Sequence, residues 1–349
     1  MTNGVSEHQH NRLNWIDYTR GFALIFVIFA HSQIPSHLFE FVSYIIAVFP
    51  FISGYLYKAK SINDVVKKRF PFILSYYYIG AINYLIWIAF VPDTFRRADN
   101  FTYLKNYLLV RTDLFEKIPL VVVPLWYLVF LFFAEVLYHF TLKTRTLQIF
   151  IIVGVLSRFF HSGSLPFKLD VVLASLYMFE IGRVFKEKKI QVVNLIGLLS
   201  LVTWVVITTL NGSTSWNTDE YGRNPLLSMI GEISCVVFVV WINQSIEKRK
   251  VTNKILGKIL KFFSDNALFV LGYHMLLGSL VILLLMLLKF SVTEENLRNY
   301  WYITFAIMLV TTYLITLTLP ASVKEILTKP DRLLGINKIL KKESKNKDD

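Results

Sequence analysis

Long apolar stretches alternate with short polar links along the whole chain. Ten such runs can be traced, at roughly 16–35, 38–57, 70–91, 120–141, 147–162, 168–185, 190–210, 225–245, 264–288 and 299–319. A helix of about 20 residues rises roughly 30 Å, the thickness of a bilayer's hydrocarbon core. The pattern therefore predicts an all-α, polytopic membrane helical bundle with about ten transmembrane helices. The fifth and sixth runs are joined by a link crowded with Arg158, His161 and Lys168. A polar N-terminus (1–14) and a basic tail (326–349) flank one transmembrane domain over 15–325.

Composition agrees with this picture. Hydrophobic residues make up 54% and charged residues 17%, too apolar for a soluble domain of this length. The net charge of +13 is distributed by segment. Most of the 37 Lys and Arg residues fall in the N-terminal segment, at Lys58 to Arg69, Lys143 and Arg145, Arg183 to Lys189, Lys248 to Lys261, and beyond Lys324. By the positive-inside rule these segments, and both termini, are expected in the cytoplasm. The basic excess then reports topology and contact with anionic lipid rather than nucleic acid. The single Cys235 excludes an intramolecular disulfide. The first run carries Arg20 and lacks a small-residue cleavage site, so it reads as a retained anchor.

Candidate chemistry begins in that first run. Arg20 and His31 are costly to place among apolar side chains in lipid and point to function. Eleven residues at about 100° each bring the two side chains within some 20° of one line, about 16 Å apart along the axis. They define a polar track from one membrane surface inward. Imidazole is suited to accept a proton near neutral pH; the plainer role for His31 is a hydrogen bond between helices. Lys67, Lys68 and Arg69 open the third run, where helix amides also favour anions. Glu135 lies deep in the fourth run and should face protein or a wet cavity. Asp170, Glu180, Glu232 and His274 raise the same question, with capping expected of Asp170. Two longer links, 92–119 with Arg96 and Arg97 and 211–224 with Trp216, mix charge and aromatic residues. That composition suits sugars, and equally an ordinary interfacial loop. No Walker-type loop, metal-ligand spacing or Gly-x-Ser-x-Gly elbow is present.

Together these residues resemble acyltransferase family 3, in particular its fucose 4-O-acetylase-like branch. The resemblance rests on Asp17-x-x-Arg20-Gly21 with Arg-x10-His31, Phe49-Pro-Phe-Ile-Ser53-Gly54, Lys67-Lys-Arg-Phe, Pro124-Leu-Trp126-Tyr-Leu with Glu135, Tyr221-Gly-Arg-Asn224-Pro225 and Asn266 through His274. It implies a multi-pass enzyme of the bacterial inner membrane, moving an acetyl group from cytoplasmic acetyl-CoA to a hydroxyl of a surface polysaccharide or its lipid-linked precursor. No bound cofactor or metal is implied. In that reading His31 and Arg20 are catalytic, Lys67, Lys68 and Arg69 hold the donor's phosphates, and Trp126 and Glu135 contact substrate. The family's Arg-x-x-Arg pair is incomplete, because Phe72 stands three residues after Arg69. Ser32, Gln33 and tyrosine hydroxyls are candidates to stabilise an oxyanion. The alternatives are a secondary transporter or glycan-precursor flippase, with His31 and Glu135 as a proton relay, and a noncatalytic scaffold.

Overall fold

The computed structural model describes residues 13–58, 61–90, 98–160, 165–249, 255–288 and 298–333. Of the sequence features above, most of the N-terminal segment, Arg96, Arg97, His161 and most of the basic tail lie outside these residues.

The described residues are helical, without a strand. In chain order the helices are α1 (Asn14–Ala30), α2 (Ser36–Ser43), α3 (Val48–Tyr55), α4 (Ile62–Phe90), α5 (Asn100–Leu108), α6 (Trp126–Thr144) and α7 (Leu147–Ser157). They continue with α8 (Leu169–Glu187), α9 (Asn194–Asn211), α10 (Pro225–Lys248), α11 (Leu256–Asp265), α12 (Ala267–Leu287), α13 (Trp301–Thr318) and α14 (Ala321–Thr328). Among the described residues seven segments are long and apolar enough to cross a membrane: Ser36–Tyr55, α4, Leu120–Thr144, α9, α10, α12 and α13. The other three expected spans are helices of a different kind. α1 has 17 residues, a rise of about 26 Å. α7 has 11 residues and rises about 16 Å, half a hydrocarbon core. α8 carries Asp170, Glu180, Arg183, Lys186 and Glu187 within its 19 residues.

Two spans are not uniform. Tyr44–Ala47 is a 3-10 turn between α2 and α3, and Leu120–Leu125 is another leading into α6. Pro124 sits inside the second, and Pro71 lies within α4. Such breaks are tolerated at membrane depth where protein covers the freed backbone.

Helix α1 runs through the middle of the bundle, packed on α11, α10, α12 and α3. Its first residue donates from its backbone amide to Glu247 Oε1 at 2.8 Å, and Trp15 meets Tyr55 edge-to-face with centroids 5.1 Å apart. The start of α1 thus shares one end of the bundle with the ends of α3 and α10. At the opposite end the Tyr44 hydroxyl donates to Gly212 O at 2.8 Å and the Thr214 amide to Ser43 Oγ at 3.0 Å. There the link 212–224 is hydrogen-bonded to the junction between α2 and α3. Apolar side chains such as Ile149, Ile152, Leu195, Leu199 and Leu317 stand exposed on the outside of the bundle, as lipid contact requires.

Candidate active site

A cavity of about 580 Å3 follows α1 through the bundle. Arg20, Lys68 and Arg69 line it near the start of α1, and His31 lines it eleven residues further along. Beyond His31 the lining passes to Ser43, Phe115 and Thr214–Asn217. Arg20 and His31 both line the cavity along α1, and its two ends, one basic and one lined by the 212–224 link, are termed the basic mouth and the loop mouth.

Helix α1 stops at Ala30, and His31 is its C-cap. The His31 Nδ1–H donates to Val27 O at 2.7 Å. That bond leaves the lone pair on Nε2, the tautomer a general base needs. Ser32 is buried with its hydroxyl donating to Phe29 O at 2.6 Å, while Gln33 is exposed at φ 60°. Neither lines the cavity. Among the hydroxyl residues that do are Tyr127 and Ser53.

At the basic mouth, Arg69 Nε donates to Glu135 Oε2, and Lys68 Nζ lies 3.5 Å from Glu135 Oε1. Glu135 is fully buried and does not line the cavity. It pairs with Arg69 and Lys68 from outside the lining, and because two cations share it the mouth keeps positive charge. Phe72 packs under the Arg69 guanidinium, 5.1 Å from its centroid. A ring therefore occupies the position where the family pattern has a second arginine. Lys67 is exposed and outside the lining. Trp126, the first residue of α6, does line the cavity.

Of the other ionisable residues singled out from the sequence, Glu180 and Glu232 have partners of their own. Asp170 does not cap: no side chain caps α8, and both Asp170 carboxyl oxygens are buried without a hydrogen-bond partner. Glu180 pairs with Arg183 at 2.5 Å and accepts from the Tyr138 hydroxyl at 2.8 Å. Glu232 anchors the loop mouth. It pairs with Arg158 at 3.0 Å and accepts from Trp216 Nε1 at 2.7 Å and from Thr214 Oγ1 at 3.2 Å. Ser228 and Tyr177 donate to it as well. The loop it holds is a tight hairpin, with Ser215 and Glu220 exchanging backbone hydrogen bonds of 2.7 and 3.0 Å.

His274 on α12 is the residue the sequence left undecided. Its ring meets His31 edge-to-face, centroids 5.2 Å apart. Its Nδ1–H donates to Val270 O at 2.9 Å, and its buried Nε2 has no hydrogen-bond partner. No spacing rule could have joined residues on helices so far apart in the chain.

Among the described residues no His, Cys, Asp and Glu cluster could hold a metal ion. The arrangement offers a base with a free nitrogen, an anion-attracting mouth and a separate mouth lined by neutral polar and aromatic groups. A family model described as "Acyltransferase domain", that of acyltransferase family 3, matches residues 13–319. No curated protein and no solved structure matches this chain.

Proposed function

Because this chain belongs to acyltransferase family 3, we propose that it is a membrane O-acetyltransferase. It moves acetyl from acetyl-CoA to a hydroxyl of a surface polysaccharide or lipid-linked sugar, in a bacterial inner membrane. The observation that carries the reading is one cavity with cations at one mouth and His31, its Nδ1 committed to Val27 O, further along the same helix. The polyanionic nucleotide end of the donor would bind where Arg20, Lys68 and Arg69 stand. By the positive-inside rule that mouth would face the cytoplasm. The acceptor would come through the loop mouth.

The chemistry then follows from His31. Its Nε2 takes the proton of the acceptor hydroxyl as the oxygen attacks the thioester carbonyl. The tetrahedral oxyanion collapses, the C–S bond breaks, and the imidazolium returns the proton to the departing thiolate. The products are an O-acetyl ester and free CoA, and no proton is gained or lost overall. General-base assistance of this kind contributes roughly 10²–10⁴-fold. Tyr127 and Ser53, on the lining of the same cavity, are among the hydroxyl groups that could donate to the oxyanion. A transporter relaying protons between His31 and Glu135 is disfavoured, since Glu135 is engaged by Arg69 and Lys68.

The test uses membranes with matched amounts of wild type or His31→Ala, radiolabelled acetyl-CoA and a crude surface-glycan fraction. Label in glycan is expected with the wild type and not with the variant. Equal label from both would remove His31 from the reaction, and label from neither would overturn acetyl-CoA as donor.

A further inference from the structure

The two mouths differ in charge in a way that bears on the acceptor. Every charged residue among the described lining residues, namely Arg20, Lys68 and Arg69, belongs to the basic mouth. The loop mouth is lined by Ser43, Phe115, Thr214, Ser215, Trp216 and Asn217, with no ionisable side chain. Cations do lie behind this wall, each in contact with a carboxylate and none on the lining, with Lys168 and Arg111 sharing Asp113. Arg158, fully buried, pairs with Glu232 at 3.0 Å and lies over the rings of Tyr221 and Trp216, at 4.2 and 5.5 Å from their centroids. Lys168, also fully buried, pairs with Asp113 at 2.9 Å and donates to Asn217 O at 2.6 Å. Arg111 pairs with the same Asp113 at 3.0 Å.

These contacts have a second effect. They hold the lining in place from behind. The Trp216 indole N–H is consumed by Glu232, so what this residue offers the cavity is its ring rather than its donor. Asn217 is likewise engaged, its Oδ1 accepting from Thr112 Oγ1 and its Nδ2 donating to Thr112 O at 2.8 Å. The result is a pre-organised, uncharged wall with an aromatic surface, suited to a ligand that has an apolar face and neutral polar edges. A carboxylate or phosphate brought there would lose its hydration without gaining a cation.

We propose that the loop mouth, centred on Trp216 and Ser215, is an acceptor subsite for an uncharged sugar residue and discriminates against uronic acids and phosphorylated sugars. This rests on the acyltransferase reading for its role in catalysis, while binding can be read without any transfer.

Binding is measured on the full chain in lipid nanodiscs by saturation-transfer NMR, with a linear glucose pentasaccharide and a hyaluronan hexasaccharide as probes. The quantity read is the binding that Trp216→Leu abolishes, which separates this mouth from any anion binding at the basic one. The expected result is that this component takes the glucose oligomer and takes the hyaluronan oligomer at least about tenfold more weakly. Because Trp216 is buried, Ser215→Arg serves as a second variant that places a cation on the lining without removing a packed ring. It is expected to raise hyaluronan binding and narrow the difference. Equal or tighter Trp216-dependent binding of hyaluronan overturns the proposal. So does binding of neither oligomer, glucose-oligomer binding untouched by Trp216→Leu, or an unchanged preference in Ser215→Arg. Release of CoA from acetyl-CoA is followed separately: sugar binding without release removes the transfer reaction and leaves the subsite standing.

Discussion

At the scale of single residues, the ion pair behind the basic mouth makes a specific prediction. Breaking a buried pair by removing one partner costs about 3–5 kcal/mol, whereas replacing both by apolar groups is often neutral. Glu135→Gln should therefore lower thermal stability markedly. The double variant Arg69→Met with Glu135→Leu should regain it while still showing a raised KM for the acyl donor. Thermal unfolding and donor kinetics on the same preparations check both parts. His274 makes a contrasting case. A buried, unsatisfied acceptor costs about 1–3 kcal/mol, so His274→Phe should melt no lower than the wild type. It should nevertheless reduce kcat, because the ring that His31 leans on loses its imidazole nitrogens; unchanged kcat would leave His274 as packing alone. Arg20 and His31 were legible from spacing because both lie on one helix, whose geometry is periodic. Glu135 was visible as an anomaly but not in its role, since its partner lies 66 positions away and periodicity carries no information over that distance.

At the scale of elements, hydropathy located the helices well and their internal breaks poorly. An apolar run reads alike whether its backbone bonds are α-type or 3-10, so the turns at Tyr44–Ala47 and Leu120–Leu125 left no mark in the pattern. Run length also overstated α7, whose helix stops at Ser157 although apolar residues continue to Phe160. Small residues decide how closely helices approach. A Cβ on Gly54 would lie 1.9 Å from Phe179 O, and one on Gly182 2.1 Å from Phe51 O. The backbones of α3 and α8 therefore touch, as small residues permit in membranes. Gly54→Ala or Gly182→Ala should force the two helices apart, at a cost of about 1–3 kcal/mol or more. Because α3 carries Phe49, Ile52 and Ser53 on the cavity lining, transfer should fall with stability. Thermal unfolding alongside initial rates would show whether the two move together.

At the scale of the whole molecule, the polar links at the far end interlock. Asp113 joins the link after α5 to Lys168 at the start of α8, and Lys168 holds Asn217 of the hairpin. Burial pushes the Asp113 carboxyl up, but Arg111 and Lys168 outweigh it and hold the group below its usual range. A carboxyl depressed in the folded state stabilises it fully above about pH 4 and loses that contribution as pH falls through the lowered value. Backbone amides of 212–224 should therefore lose protection, measured against the intrinsic exchange rate at each pH, on acidification below pH ~4. In Asp113→Asn they should exchange faster at neutral pH and respond less to acid. The mixed charge of these links was visible in the sequence, whereas its pairing was not, because it joins three separate segments.

A cavity that follows a helix through the interior of a bundle raises the matter of electrical leak. Conduction needs an ion to bind at successive sites weakly enough to move on. Anions drawn to Arg20, Lys68 and Arg69 meet Leu24, Val27, Ile45 and Leu271 next, with no charged lining group beyond them among the described residues. Cations are repelled at the first step. Confining charge to one end of the lining thus keeps the bilayer's resistance, and the molecule should be silent in a planar-bilayer recording.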